Sequence, residues 1–541
     1  MRSFLRDFVY RHLNQDLNFS IERPKDPSLG HLASNVAFIM SKALRKNPKE
    51  VAKELSLTFK SEDFEVSAEG GFLNFKFRED FLSREFAKLI KSPRDYLLPK
   101  VQSPKRVLVE FVSANPTGPL HLGHARGAVF GDALCRILSA FGHDVSKEYY
   151  INDAGTQVWL LAVSVFVRAC EIVGINCKDE YLELFEKEGY RGDYIKEIAK
   201  EFLNAFKSID GVLPSDLIDF SLNITLDGIR KSLSRLGVWF DNWVSEREVA
   251  KEENLQAVIK RLSDMNLIYE KDGALWFKSS ELGDSKDWVL RRSDGSFTYF
   301  ANDIVYHLYK LERDFDLSVN IWGADHHGYL PRVKNALKAL GAKDSWLYVL
   351  FVQMVRLIRD GQEVRMSKRS GEFITLDEVL DEVGKDALRF ALLSKNPDTP
   401  LDIDIEILKK NVNENPVFYV QYAYARVCSV EREVLSRFGA LPREDQLIDS
   451  LRYLTHEQEL ELIWLCLWTG EVLKDAEASF SPHIITYHLL ELSSYFHKYY
   501  NHHRVITQEG LRIERLALFY GVKETLKLCL DLIGVSAPER M

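Results

Sequence analysis

The sequence predicts an α/β fold: a parallel-sheet domain with an insertion, flanked by a small N-terminal α+β domain and a C-terminal all-helical domain. Three observations predict it. They are two strand–turn–helix patterns, an alternating segment near the N-terminus, and a mostly helical pattern after residue 406. At 541 residues the chain is also too long for one domain. We expect domains over 1–104, 105–405 and 406–541, with the insertion at about 150–290.

Composition is ordinary for a globular protein, with 46% hydrophobic and 28% charged residues. No stretch approaches the roughly 20 apolar residues that cross a bilayer, so we expect no membrane and a cytoplasmic location. The six cysteines form no CxxC pair, which favours reduced thiols and argues against structural zinc. The net charge of −9 says little about nucleic acid, because binding depends on where Lys and Arg lie.

The N-terminal domain shows a helical pattern followed by a strand pattern. Residues 35–56 read NVAFIMSKALRKNPKEVAKELS, which predicts a helical stretch. Residues 70–77, GGFLNFKF, alternate as a strand does. The segment therefore predicts a small α+β unit.

The first half of the parallel sheet begins at residues 106–112, RVLVEFV. This nearly continuous apolar run predicts a strand that is buried on both faces. After a turn rich in Gly and Pro, apolar residues recur at helical spacing from Ala125 to Phe141, and Gly142 is a stop signal. A strand, a Gly-rich turn and a helix form half of a Rossmann-type nucleotide-binding unit.

The second half lies about 200 residues further on. LSVNIW (317–322) predicts a strand, GADHHG its exit loop, and YLPRVKNALKALG a helix. WLYVLFVQMVRLIR then leads into a hairpin through Asp360-Gly361. The second strand–helix pattern completes the predicted sheet.

His121 and His124 stand at the start of the first helix, three residues apart and on one side of its first turn. The spacing leaves metal ligands, structural histidines and anion contacts open. HLGH lacks the Glu of HExxH and has no third ligand nearby. A helix N-terminus offers N–H groups and partial positive charge to phosphate, and Gly123 would let a flat ligand such as adenine approach the backbone.

A basic segment, VRMSKRSGE (364–372), follows the predicted hairpin. Alone it is typical of a solvated loop. HLGH and this segment together resemble the two signatures of class I aminoacyl-tRNA synthetases, which are HIGH and KMSKS. RMSKR departs from that signature in its first and last positions.

Further segments are similar to the arginyl-tRNA synthetases in particular. These are EFVSANPTGPLHLGHARGAVFGDALCRIL, YYINDAGTQV, VRLIRDGQEVRMSKRSGEF, DALRFALL, NENPVFYVQYAYAR and the terminal SAPERM. Some members of that family replace the loop lysine by one just before the HIGH signature. Here Gly118 stands at that position and Lys368 is present, so the chain resembles the usual type.

The resemblance implies ATP-dependent activation of L-arginine to arginyl-adenylate, then transfer to the 3′ end of tRNA(Arg), by a monomer. His121 and His124 would stabilise the transition state at the α-phosphate, and Lys368 would neutralise the departing pyrophosphate. Mg²⁺ would accompany ATP without a protein cage of its own. The implied ATP-binding residues are Gly123, Gly323, Asp325, Met366, Ser367 and Lys368.

Arginine recognition requires acids, because a guanidinium is best met by carboxylates. Glu110 is the lone acid in the predicted buried strand, where it needs a cationic partner. That partner could be the substrate or an arginine of the protein. The resemblance places Glu110, Tyr299 and Asp303 in the arginine pocket, Asn115 near the α-amino and carboxylate groups, and His326 at a polar pocket position.

The helical domain would read the anticodon, although residues 411–541 hold 13 Lys+Arg against 18 Asp+Glu, a net charge of −5. Unstacked bases are commonly read by aromatic side chains. The resemblance suggests Tyr424 and Met541 as tRNA contacts, with core packing the alternative for such a ring. It also suggests Asn74 as a contact to the tRNA D-loop, with a buried or capping Asn the alternative.

Overall fold

The computed structural model describes residues 1–13, 17–364, 374–410 and 412–541. They form two compact units. One contains residues 1–100, 418–531 and 536–541, and the other contains residues 101–417 and 532–535.

Helices and strands are numbered in chain order over the described residues. The helices are α1 (Arg2–Leu13), α2 (Val36–Leu44), α3 (Pro48–Thr58), α4 (Glu79–Lys91), α5 (Pro93–Leu97), α6 (Leu122–Phe141), α7 (Thr156–Val173), α8 (Asp179–Glu188), α9 (Asp193–Phe206), α10 (Ile218–Leu236), α11 (Glu246–Val249), α12 (Glu252–Asp264), α13 (Tyr299–Leu311), α14 (Leu330–Ala339), α15 (Leu376–Leu392), α16 (Ile405–Leu408), α17 (Pro416–Phe438), α18 (Glu444–Ser450), α19 (Glu457–Ala478), α20 (His483–His502) and α21 (Ile513–Leu532). The strands are β1 (Ile21–Glu22), β2 (Leu32–Ser34), β3 (Phe64–Glu69), β4 (Phe72–Phe77), β5 (Arg106–Glu110), β6 (Asp144–Ile151), β7 (Asn242–Ser245), β8 (Ile268–Lys271), β9 (Ala274–Phe277), β10 (Trp288–Arg291), β11 (Leu317–Gly323), β12 (Leu347–Val352), β13 (Val355–Arg359), β14 (Gln362–Val364), β15 (Leu401–Asp404), β16 (Ile506–Thr507) and β17 (Gly510–Leu511).

The unit of residues 101–417 is built on a five-stranded parallel sheet in the order β12-β11-β5-β6-β7. The chain runs outward from β5 through β6 to β7, then returns to the other side of β5 for β11 and β12. This doubly wound order confirms the Rossmann-type fold. Its point of reversal lies between β5 and β11, where such sheets bind ligands beyond the carboxyl ends of the strands.

Apolar burial explains the central strand and the helix that follows it. Val107, Leu108 and Val109 of β5 are all buried, because helices and loops cover both faces of a parallel sheet. Helix α6 ends where the sequence predicts, at Gly142 in the left-handed conformation (φ 102°). A glycine there caps the helix without the steric cost that a Cβ would bring.

The interval 150–290 contains a strand of the main sheet as well as added layers. Strand β7 pairs with β6, from Glu148 opposite Asn242 to Ile151 opposite Ser245. The predicted insertion wrongly includes this strand. The segment NWVS has only four residues and is too polar to show a buried-strand pattern. The added layers are helices α7–α10 and an antiparallel sheet in the order β10-β9-β8.

Although the sequence predicts no membrane-spanning stretch, helix α7 is long and apolar enough to cross a membrane, and 61% of it is buried inside the protein. Its apolar side chains form a core with α9 and the start of α10. A core helix passes the same test of length and composition as a membrane span.

The predicted hairpin joins β13 to β14 through Asp360 (φ 49°) and Gly361 (φ 75°). Two consecutive residues with positive φ are the requirement of the tightest hairpin turns. Strand β15 pairs with β13 in parallel and completes a small sheet.

The other unit combines the N-terminal segment with the C-terminal helices. Its N-terminal sheet is antiparallel in the order β1-β2-β4-β3. The predicted helical stretch is divided into α2 and α3, because Arg45 adopts φ 52° and Asn47 caps a new helix that begins at Pro48. In α19, Trp464 packs against His31 and Phe77, with ring centroids 4.7 and 5.8 Å apart.

Candidate active site

The two histidines of HLGH lie at the N-terminus of α6, directly after the loop that follows β5. His121 is the N-cap residue, and its Nδ1 accepts a hydrogen bond from the Gly123 N–H at 3.1 Å. Nδ1 of His124 accepts from the His121 N–H at 3.3 Å, and the two rings stack with centroids 3.8 Å apart. When Nδ1 is an acceptor, a neutral imidazole carries its proton on Nε2. A neutral His121 or His124 would therefore carry its proton on Nε2, at the N-terminus of α6.

Across the point of reversal, β11 ends at Gly323 and a 3₁₀ turn, Ala324–Tyr329, follows it. Asp325 folds over Gly323, so that a Cβ on this glycine would lie 2.5 Å from the Asp325 carboxylate. His326 Nε2 lies 3.5 Å from the same carboxylate, and both side chains are exposed. These polar groups therefore stand at the carboxyl edge of β11, the strand that neighbours β5.

An acidic pocket lies where α11 and α13 begin. Asp303 is in the second turn of α13 and accepts a hydrogen bond from the Tyr329 hydroxyl. Glu246, the first residue of α11, is buried and accepts from Asn302 Nδ2 at 2.8 Å. Among the described residues, neither carboxylate has an ion-pair partner within 4.0 Å.

Burial sets the charge state of this pocket. It raises the pKa of Asp303 to about 7; the hydrogen bond from Tyr329 opposes the rise, while the charges of Glu246 and Glu110 add to it. Burial also raises the pKa of Glu246, although hydrogen bonds from Asn302 and Tyr150 oppose this. Two neighbouring carboxylates are thus costly to ionise together until a cation reaches them.

Glu110, at the end of β5, already has a cation from the protein. Lys310 Nζ lies 2.5 Å from its Oε2, and Asn320 Nδ2 donates to the same oxygen at 2.9 Å. Ser113 donates to the other oxygen at 2.8 Å. Burial would raise the pKa of Glu110, but the Lys310 ammonium, with smaller contributions from His307 and Ser113, holds it below its usual range. The cationic partner of Glu110 is therefore a lysine of the protein, whereas the expected partners were the substrate or an arginine of the protein.

Asn115 and Tyr299 are two further residues that the sequence predicts in the arginine pocket. Asn115, in the loop after β5, donates from Nδ2 to Gln157 in the first turn of α7 at 2.8 Å. Tyr299 begins α13 one turn before Asp303, and its side chain is 58% exposed. The first is therefore held by a neighbour, whereas the second is open to solvent.

Glu246 is the residue that sequence reasoning missed. It follows a four-residue strand inside the interval taken as an insertion, and nothing in its neighbourhood, WVSEREV, distinguishes it from a surface acid. Its burial at the start of α11 was the missing information, because a buried acid without an ion-pair partner is rare.

Only Val364 of the basic segment VRMSKRSGE belongs to the described residues. Met366, Ser367 and Lys368 lie outside the described residues, which end at 364 and resume at 374. Their roles in ATP binding and catalysis stay predictions. In the described part of the chain no group of three or more His, Cys, Asp or Glu side chains is placed to hold a metal ion.

The residues expected to contact tRNA differ in exposure. Asn74 of β4 is buried at 2% exposure, and its Nδ2 finds no hydrogen-bond partner in the described residues. Tyr424 of α17 is buried at 5%, so its ring belongs to the core, whereas Met541 is 53% exposed. The same helix offers Arg426, which lies over the ring of Tyr422 at 4.4 Å. Arg426 also lies over Tyr500 of α20 at 4.7 Å, and the three side chains form a half-exposed cation–π stack.

A doubly wound sheet, with a His-x-x-His helix start at its point of reversal, is what the class I aminoacyl-tRNA synthetases are expected to have. The family model described as the catalytic domain of class I tRNA synthetases (R) matches residues 87–427. A DALR anticodon binding domain matches residues 420–541, and an arginyl tRNA synthetase N terminal domain matches residues 3–77. The chain belongs to the arginyl-tRNA synthetases.

Individual relatives agree with this assignment over nearly the whole chain. An arginine–tRNA ligase of Aquifex aeolicus is 46% identical, over 97% of this chain and 96% of the relative. One from Carboxydothermus hydrogenoformans is 41% identical, over 98% and 96%. The solved structure of the Thermus thermophilus arginyl-tRNA synthetase covers all of both chains with a TM-score of 0.77 at 25% identity. The enzyme is thus an arginine–tRNA ligase, which activates arginine with ATP and transfers it to tRNA.

Proposed function

We propose that the acidic pocket of Asp303 and Glu246 binds the guanidinium group of arginine. The observation that supports this is a pair of neighbouring carboxylates with raised pKa values and no ion-pair partner among the described residues. A guanidinium offers five N–H donors in a planar fork and stays charged, so it would relieve both acids at once. Tyr299 and His326 would line the entrance. Glu110 remains a predicted residue of the pocket, although Lys310 already balances its charge.

ATP would bind over the point of reversal between β5 and β11. Its α-phosphate would accept hydrogen bonds from Nε2–H of His121 and of His124 at the start of α6, where the helix dipole also favours an anion. The adenine would lie against the backbone of Gly123, which is exposed, and the ribose against Gly323 and Asp325. Met366, Ser367 and Lys368 would contact the β- and γ-phosphates, and Mg²⁺ would accompany the ATP.

In the first step, an arginine carboxylate oxygen attacks the α-phosphorus and pyrophosphate leaves. Asn115 would orient the α-amino and carboxylate groups for this attack, because phosphoryl chemistry depends mainly on positioning and charge neutralisation. Lys368 would neutralise the leaving pyrophosphate. In the second step, a terminal ribose hydroxyl of tRNA takes the arginyl group and AMP leaves.

The tRNA partner is proposed to be tRNA(Arg), bound by a monomeric, cytoplasmic enzyme. Residues 1–104 would contact the D-loop, and the support is Asn74 Nδ2, which has no hydrogen-bond partner among the described residues. Residues 406–541 would read the anticodon, and residues 105–405 would hold the catalytic sheet. The stack of Arg426 between Tyr422 and Tyr500, together with Met541, supports base stacking there better than the buried Tyr424 does.

Asp303→Asn and Glu246→Gln test the arginine pocket. Each removes one negative charge and keeps the shape of the side chain. A hydrogen bond to a charged group is worth roughly 1.5–3 kcal/mol, so the KM for arginine should rise about 10- to 100-fold. Arginine-dependent ATP–pyrophosphate exchange, run with tRNA present, measures this.

The KM for ATP is the internal control, because neither residue belongs to the proposed phosphate site. Discrimination against citrulline, which lacks the charge, should weaken in both variants. An arginine KM that stays at the wild-type value in both variants would remove these acids from the pocket.

A further inference from the structure

The loop between β5 and α6, residues 111–121, joins the proposed arginine site to the proposed phosphate site. It carries Asn115 and ends at His121. Val112 and Ser113 adopt positive φ values of 70° and 38°, which non-glycine residues adopt only at a cost. The path of this loop is therefore imposed by its surroundings.

The loop is largely buried, so its carbonyl groups need partners. Ala114, Pro116, Thr117 and Gly118 are all buried, and they belong neither to a strand nor to a helix. Buried carbonyls outside regular structure have to be met by side chains or by water.

Three hydroxyl groups from three different elements meet these carbonyls. Tyr149 of β6 donates to the Ala114 carbonyl, Thr225 of α10 donates to Pro116, and Tyr194 of α9 donates to Thr117, each at 2.8 Å. The Thr225 hydroxyl also lies within 3.1 Å of two carbonyls of its own helix, but the bond to Pro116 is the shortest.

The tyrosine hydroxyls donate at any ordinary pH. Burial raises the pKa of Tyr149 and of Tyr194 well above the usual value, so both remain protonated. The ring of Tyr194 also covers Gly118, where an added Cβ would lie 2.8 Å from the hydroxyl oxygen. The Tyr194 side chain can therefore pack against the loop only because position 118 is a glycine.

Two of the three hydroxyls come from the helical layer α7–α10, and this layer also supplies Gln157, the partner of the Asn115 side chain. We propose that the layer positions the loop for catalysis, with Tyr194 and Thr225 as positioning residues for Asn115 and His121. The inference rests on the proposed function of those two residues. It gives the helices inserted after β6 a role in the chemistry, although none of their side chains needs to touch arginine or ATP.

Tyr194→Phe and Thr225→Val remove one hydroxyl each and keep the packing. Displacing a reacting group by about 1 Å can cost on the order of 100-fold in rate. We therefore expect kcat/KM for arginine in tRNA-supported exchange to fall about tenfold or more in each variant, with a lower kcat and a higher arginine KM. The KM for tRNA should stay near the wild-type value, and the Tm should fall by only a few degrees, because each variant loses one buried hydrogen bond.

Two further variants separate positioning from stability. Thr225→Ser keeps the hydroxyl and should restore most of the activity that Thr225→Val loses. Ser164→Ala removes a buried hydroxyl from α7 that bonds Leu160 and Tyr190 and not the loop, and it should keep wild-type exchange.

Wild-type kinetics in both Tyr194→Phe and Thr225→Val would overturn the inference and leave the proposed arginine site standing. An equal loss in Ser164→Ala, or no rescue by Thr225→Ser, would also overturn it. A wild-type protein that shows no arginine-dependent exchange would overturn the proposed function and this inference together.

Discussion

At the scale of single residues, the charge of Asp303 would control binding at the proposed arginine site. Its pKa of about 7 means that half of the molecules hold a neutral acid there near neutral pH. A carboxyl group with a raised pKa favours the folded state below its unfolded value near 4, and this contribution is lost as the pH rises through 7. An ionised Asp303 therefore destabilises the free enzyme, and a guanidinium bound at the proposed site would offset that cost.

The KM for arginine should consequently rise about tenfold as the pH falls from 8 to 6. Over this range the ionised fraction of a group with a pKa of 7 falls from about nine-tenths to about one-tenth. Exchange at saturating ATP, measured at half-unit steps of pH, gives the profile. Asp303→Asn should show a high arginine KM that does not follow this profile. The same slope in the variant would assign the titration to another group.

Lys368 is the second residue with a separable effect, although it lies outside the described residues. Lys368→Ala should slow adenylate formation and leave arginine affinity nearly unchanged. The reason is that a lysine ammonium beside the leaving pyrophosphate acts mainly in the transition state. Single-turnover formation of arginyl-adenylate measures the rate, and equilibrium binding measures the affinity. An unchanged rate would remove the loop lysine from catalysis.

Glu110 could be identified as a candidate site residue from the sequence, whereas Glu246 could not. Glu110 could be singled out because an acid in an apolar strand is conspicuous, but only packing revealed that Lys310, 200 residues away, is its partner. Glu246 lies in a polar segment where an acid is unremarkable, and its burial depends on contacts from α13. Contacts between residues that are distant in sequence cannot be predicted from local sequence patterns.

At the scale of elements, the start of α6 combines a capping function with the proposed catalytic one. The Gly123 N–H donates to His121 Nδ1, and an added Cβ at this glycine would lie 3.0 Å from the His121 ring. Alanine is a better helix former than glycine by about 1 kcal/mol in a helix interior. Substitution here should thus help the helix and displace the histidine.

Gly123→Ala should lower kcat by about tenfold while the Tm stays unchanged or rises. Exchange kinetics and thermal unfolding of the same preparation test the two signs together. Gly127→Ala is the matched control in the same helix, because its Cβ would meet Ile321 at an ordinary 3.9 Å. Equal kcat values in the two variants would show that the position of His121 does not limit the rate.

Elements with strong local signals could be predicted, and those set by tertiary context could not. The apolar run of β5, the glycine stop of α6 and the Asp360-Gly361 turn each have a local physical cause, and all three are confirmed. Strand β7 has no such cause, because it is held by its partner β6. The three hydroxyls on the loop after β5 were equally hidden, since Tyr149, Tyr194 and Thr225 become neighbours only in the folded chain.

At the scale of the whole molecule, the two ends of the sequence share one compact unit. Residues 1–100 and 418–531 belong to it together. Trp464 of α19 is only 2% exposed, and His31 and Phe77 of the N-terminal segment cover it. Arg2 also forms an ion pair with Asp475 of the same helix at 2.6 Å. The N-terminal segment is therefore part of the fold of the helical domain.

A chain of residues 101–541 should accordingly have a less stable helical domain than the full chain. Deleting a buried aromatic side chain costs roughly 3–5 kcal/mol of stability. Uncovering Trp464 and its neighbours should cost a comparable amount. Hydrogen exchange along α19 measures this directly, because protection reports local opening. Selectivity among tRNAs should be lost together with that protection. Arg426→Ala is the control: it should weaken tRNA aminoacylation while α19 stays protected, and full protection of α19 in the truncated chain would show that the helices fold without residues 1–100.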